Sequence, residues 1–136
     1  MNNKYRKSTA KNLSKQDKQD LKCFNIFRDE CNKWIDKFNL NDWEINYEYA
    51  ESAEDNAICR VNVPAKIATL TLCNACDDTL IKISAMHEVL ELLLFELTVL
   101  ASKREWSEEA WDREVHTVIH RLQNVIYNLQ KNSIEK

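Results

Sequence analysis

The chain has 136 residues, 44% apolar and 30% charged, with a net charge of −3, a profile that fits one globular domain able to bury a core without metal or disulfide support. It holds no glycine and a single proline, which excludes glycine-rich phosphate loops and dinucleotide fingerprints. The negative balance argues against a general nucleic-acid binder.

Residues 1–16 form a basic segment in which Lys4, Arg6, Lys7, Lys11 and Lys15 meet no acid. A solvated leader is expected there, with contact to nucleic acid or an acidic partner as the alternative. A helical pattern starts at Asp17. Leu21, Phe24, Phe27, Cys31, Trp34 and Phe38 recur in steps of three and four, which predicts one apolar stripe. Asn39–Asp42 reads as a turn. Without glycine, Asn and Asp must supply the left-handed turn positions. Trp43, Ile45, Tyr47 and Tyr49 then alternate with polar residues, as do Ala57, Cys59, Val61 and Val63, and Ile67–Leu72 makes a third short run. The short polar connections predict an antiparallel three-stranded meander. Asp78 or Thr79 is expected to cap a helix running to about Leu100, apolar on most sides and therefore central and buried. Ser107 caps a last helix whose stripe is Trp111, Val115, Val118, Ile119, Leu122, Ile126 and Leu129. The fold class is thus α+β: an N-terminal helix, three antiparallel strands, a central helix and a C-terminal helix. The domain spans residues 17–131, with a tail at 132–136. No apolar run of eighteen predicts a membrane span. The lack of an apolar leader and the odd count of five cysteines predict a cytoplasmic, reducing location with free thiols.

His87, Glu88 and Glu91 sit inside the most apolar segment of the chain, where an ionised carboxylate is costly unless paired or bound to metal. His87 and Glu91 are four apart and share one helix face, so both can reach one ion. Glu88 lies about 100° round the helix, where it can act as general base on a metal-bound water. This is the logic of His-Glu-x-x-His zinc helices, with Glu91 in the second histidine's place. The harder carboxylate ligand suits zinc or another divalent ion.

The wider pattern carries a resemblance. Trp43-Glu44-Ile45, Ala65-Lys66-Ile67-Ala68-Thr69-Leu70, Ala85-Met86-His87-Glu88-Val89-Leu90-Glu91-Leu92-Leu93 and His116-Thr117-Val118-Ile119-His120-Arg121-Leu122-Gln123-Asn124 resemble the metallopeptidases of phages and prophages over roughly residues 40 to 126. The resemblance implies a minimal zincin-like fold with a carboxylate of the last helix as third metal ligand. His87 matches the first ligand and Glu88 the general base. Val115 stands where the family has its last-helix glutamate, so Glu108, Asp112, Glu114 or His116 would have to replace it. On a helical projection Glu108 and Asp112 are expected nearer the apolar stripe than Glu114.

Cys73-Asn-Ala-Cys76 has ligand spacing and, with Cys59 and His87, would complete a structural Cys₃His site; ordinary thiols are the default reading. His116 and His120 are expected at the surface, and the four tryptophans as packing anchors. Two functions follow. In the first, zinc on His87, Glu91 and a last-helix acid activates water, Glu88 takes its proton, and a peptide or protein is cleaved. In the second, the protein is a catalytically inactive, phage-encoded binder that inhibits a host defence or regulatory protein in the host cytoplasm.

Overall fold

The computed structural model describes residues 13–74, 77–103 and 106–135. Helix α1 spans Lys15–Lys37, strands β1, β2 and β3 span Glu44–Tyr49, Ala57–Asn62 and Ile67–Leu72, and helices α2 and α3 span Asp78–Ser102 and Glu108–Ile134. The expected α+β class and element order are present.

Helix α1 begins two residues earlier than the apolar pattern indicates, because Ser14 and Asp17 form a reciprocal capping box. Its buried face is Asp20, Cys23, Phe27, Cys31 and Ile35. The expected stripe is therefore turned: Leu21, Phe24 and Trp34 are only half-buried. Trp34 stacks on Phe38 at 5.7 Å and gives its indole N–H to Glu30 at 3.0 Å, with Lys37 Nζ 4.8 Å from the ring centre. The helix ends in a Schellman motif. Leu40 N–H donates to the Ile35 carbonyl at 2.9 Å and Asn39 N–H to that of Asp36 at 3.1 Å. Asn39 has φ 53°, so asparagine does take the position that glycine would ordinarily hold, and Leu40 drops fully into the core.

The sheet departs from the expected meander. It is mixed, in the order β1-β3-β2, with β1 parallel and β2 antiparallel to β3. The β2–β3 hairpin forms as its short connection requires. Strand β1 instead crosses over and pairs with β3, whose Ala68, Leu70, Thr71 and Leu72 are all buried. Alternation reveals which face of a strand is covered and says nothing about its partner. The stretch 50–66 is long enough for the crossover a parallel pair demands. The registers set three inward rows: Ile45–Ala68–Val61, Tyr47–Leu70–Cys59 and Tyr49–Leu72–Ala57. Helices α1 and α2 pack on each other and on this face, α2 lying over β2. Phe27, Cys31, Ile81, Ala85, Val89 and Leu92 fill the space between.

Asp77, one residue before the expected caps, accepts from Leu80 N–H at 3.1 Å and starts α2. That helix is not buried all round: Ile81, Ala85, Val89, Leu92 and Leu93 are covered, while Ile83 and Leu94 are exposed. Ser107 caps α3 as expected. Trp106 packs on Trp111 with ring centres 5.6 Å apart, a hydrophobic staple across the cap. The helix continues to Ile134, through most of the expected tail, and buries only Val125. No helix among the described residues is long and apolar enough to cross a membrane.

The left-handed Asn39 predicts a specific stability order. Asn39→Gly should leave the melting temperature unchanged or raised, and Asn39→Val should lower stability by about 1–2 kcal/mol. Equal melting temperatures for the two variants would contradict this account of the α1 terminus.

Candidate functional site

The local geometry of α2 brings the three residues of the His-Glu-x-x-Glu motif together and gives them different burial. His87 and Glu91 lie one turn apart on the exposed side, with 66% and 53% of their side chains accessible and Nε2 to Oε1 at 3.3 Å. Glu88 is covered, yet its carboxyl shares a side-chain hydrogen bond with Glu91. Glu88 is 5% exposed and lies on the helix face turned to the sheet and α1. Cys31 of α1 and Cys59 of β2 are its electrostatic neighbours there, and Cys31 Sγ lies 3.9 Å from the Ala85 carbonyl oxygen.

Burial raises the Glu88 carboxyl from its ordinary 4.5 to about 7, and the nearby Glu91 charge adds to the rise while His87 opposes it. Burial and the Glu88 charge hold the Cys31 thiol far above its usual range. Cys59 is pushed up to about 12 by burial, then by Glu88 and Glu91. These thiols are therefore neutral at pH 7 and are poor nucleophiles. Cys73 is also buried, its thiol raised by burial, with Sγ 3.9 Å from the Thr71 carbonyl oxygen. The suggested Cys₃His grouping is not brought together. Cys59 is level with Leu70 in the sheet, Cys73 lies three positions beyond Leu70 along β3, and His87 is on the outer side of α2. Cys76 lies outside the described residues.

The acids of α3 fall elsewhere. Glu108 and Asp112 are exposed and Glu114 is half-buried, the reverse of the expected order. Glu114 shares a side of α3 with Arg121, whose Nη2 is 3.7 Å from Asp42 Oδ1 in the turn before β1. Lys66 Nζ joins the same point, 2.6 Å from Asp42 Oδ2 and 3.2 Å from Glu96 Oε1 of α2. His87 lies nine residues back along α2 from Glu96, and Glu114 seven residues back along α3 from Arg121. Those steps are roughly 13 Å and 10 Å. Among the described residues no three His, Cys, Asp or Glu side chains converge as a metal-binding group. A catalytic zinc needs three protein ligands and an open position beside a base. Among the described residues the arrangement offers two candidate ligands from one helix, His87 and Glu91, with the Glu88 carboxyl bonded to Glu91. His116 Nδ1 lies 2.7 Å from the Asp112 carbonyl oxygen, and both His116 and His120 are exposed, as expected.

Comparison with known proteins finds no matching family model, no matching curated protein and no matching solved structure.

The buried carboxyl gives a signed pH dependence. The folded chain holds a proton on Glu88 up to about pH 7, whereas the unfolded chain releases it near 4.5. The favourable contribution is complete below 4.5 and is lost as pH rises through 7. Between pH 5 and pH 8 the loss amounts to on the order of 2–3 kcal/mol. Glu88→Gln should flatten this part of the profile and stabilise the protein at pH 8. Denaturant melts of both proteins at the two pH values test it, and identical pH slopes would refute the assignment.

Proposed function

We propose that this protein is a catalytically silent binding module that docks another protein on the outer face of α2 and α3. The observation that carries the reading is the run of exposed apolar side chains along these two helices. Ile83 and Leu94 on α2 and Ile119, Ile126 and Leu129 on α3 are all exposed. Spacing places Ile83, His87, Leu90 and Leu94 on one stripe of α2, so the His87–Glu91 pair belongs to this face. Exposed apolar side chains recurring along two helices of a small domain support an interaction surface.

Charge selects the kind of partner. Lys4, Arg6, Lys7 and Lys11 are the only charged residues among the first twelve, so residues 13–136 carry 15 basic against 22 acidic side chains. Such a domain repels a second copy of itself and attracts a partner with an apolar centre and a basic rim. The resemblance to phage proteins makes a host defence or regulatory protein the target of choice. The burial of Glu88 and its hydrogen bond to Glu91, one of only two candidate ligands on α2, support the silent reading over hydrolysis.

The decisive comparison uses the full chain, Ile119→Glu/Ile126→Glu, and Glu88→Gln. The wild type should run as a monomer in light scattering and capture a stoichiometric partner from its natural host in a salt-sensitive way. The double variant should lose capture at least about tenfold while remaining folded, and Glu88→Gln should keep it. A concentration-dependent dimer through the same face would overturn the choice of partner. Peptide hydrolysis by zinc-loaded protein, abolished in Glu88→Gln, would overturn the silent reading.

A further inference from the structure

Strand β1 lies at an edge of the sheet, with β3 as its neighbour in the order β1-β3-β2. Its register with β3 runs unbroken through six residues, so the edge is continuous and free of bulges. Glu44 N–H donates to the Lys66 carbonyl at 2.9 Å and Ala50 N–H to that of Leu72 at 3.0 Å. Backbone groups along a strand alternate between its two sides, so Glu44, Asn46 and Glu48 direct theirs to β3. The N–H and C=O groups of Ile45 and Tyr47 are turned to the open side. Among the described residues no backbone group pairs with these four.

The open edge is held in shape before anything binds. Tyr47 Oη donates to Asn32 Oδ1 of α1, and the side chains of Ile45 and Tyr47 pack on the core. A preformed template of this kind lowers the ordering cost of binding. Soluble proteins usually blunt an edge strand with proline, lysine or a bulge, and β1 has none of the three. The β2 edge differs, because α2 lies over that strand and brings Glu88 and Glu91 near Cys59.

Charge selects the occupant. On the outer side of the sheet Glu44 and Asn46 are exposed and Glu48 is half-buried. On the inner side Asp29 and Asp36 of α1 lie in electrostatic range of Tyr47, and Arg28 there is already paired with Asp29 at 3.1 Å. A second copy is disfavoured, since antiparallel self-pairing centred on Asn46 would set each Glu44 opposite a Glu48. Lysine or arginine on the incoming strand makes the same two contacts favourable.

We infer that the open edge of β1 takes up an extended segment of a partner protein as a fourth strand, bonded to Ile45 and Tyr47, with basic side chains at alternate positions beside Glu44 and Glu48. The surface is separate from the α2–α3 face and stands whether or not that face binds a protein.

The test is amide hydrogen exchange, read by NMR on the full chain, with the peptide acetyl-Lys-Val-Lys-Val-Lys-Val-Lys-amide. One control has glutamate for lysine. The other is N-methylated at its valines, which keeps the charge and removes the donors that would face β1. The lysine peptide should slow exchange at the Ile45 and Tyr47 amides at least about tenfold at saturation and leave Cys59 and Val61 on the β2 edge unchanged. Neither control should do so. Glu44→Lys/Glu48→Lys should weaken the lysine peptide about tenfold and favour the glutamate peptide instead. Binding without added protection, or equal binding of the N-methylated peptide, would overturn the fourth strand. Protection of both amides in the chain without peptide would assign the edge to a second copy or to residues 1–12 and overturn the choice of partner. Should the double variant fail to fold, the wild type with the N-methylated peptide decides.

Discussion

The architecture depends on the double pairing of β3. This strand supplies Ala68, Leu70 and Leu72 to the core on one face, and its backbone is bonded to β1 on one side and β2 on the other. Every inward row of the sheet passes through it. Helices α1 and α2 are laid on those rows, so the direction of α2, and with it the facing of Glu88, follows from the seating of β3. The turn before β3 is fixed by Lys66, which holds φ 50° and sends its ammonium to Asp42 and Glu96 with Trp43 beneath it. A strained backbone position is thus stabilised by a side chain that joins the sheet to α2.

The consequence for α2 is a helix with two chemistries. Its inner side carries a carboxyl that burial keeps protonated near neutrality, against two thiols that burial also keeps neutral. Its outer side carries an exposed imidazole–carboxylate pair among aliphatic side chains. A hydrolytic site needs the base and the ligands to meet at one point open to solvent. Here Glu88 and Glu91 are hydrogen-bonded to each other, and the base is covered while the two candidate ligands are exposed. Helix α3, 27 residues long, covers only Val125 completely and leaves Ile119, Ile126 and Leu129 exposed.

Much of the architecture was legible from pattern alone. The strands, the Ser107 cap and the substitution of asparagine for glycine at Asn39 all follow from local chemistry, which is written in consecutive residues. The strand order was not legible, because a period of two reports a covered face and leaves the partner open. The seven-residue stretch 50–56 was the available sign that β1 and β2 are not a tight hairpin. Apolar residues all round α2, and the stripe on α3, imply burial only if something covers them, and no sequence window contains the covering element. At the candidate site, the spacing of His87 and Glu91 correctly put them together, while the burial of Glu88 depends on Cys31 and Cys59, residues distant in sequence. Asp20 carried a readable signal in its three-residue step to Cys23 on the buried face, masked by its polar identity.

The position of β3 in the chain also sets an order of events during synthesis. It is central in the sheet yet the last strand to be made. Until Leu72 has left the ribosome, β1 has no neighbour, and Ile45, Tyr47 and Tyr49 have no sheet to join. The β2–β3 hairpin closes a short loop and can form at once, whereas docking β1 must close the longer 50–66 segment at greater entropic cost. The nascent chain therefore passes through a stage in which α1 and an unpaired, aromatic-rich strand wait for the piece that unites them. In that interval an unpaired strand edge and its apolar side chains are exposed, the condition under which folding chains aggregate.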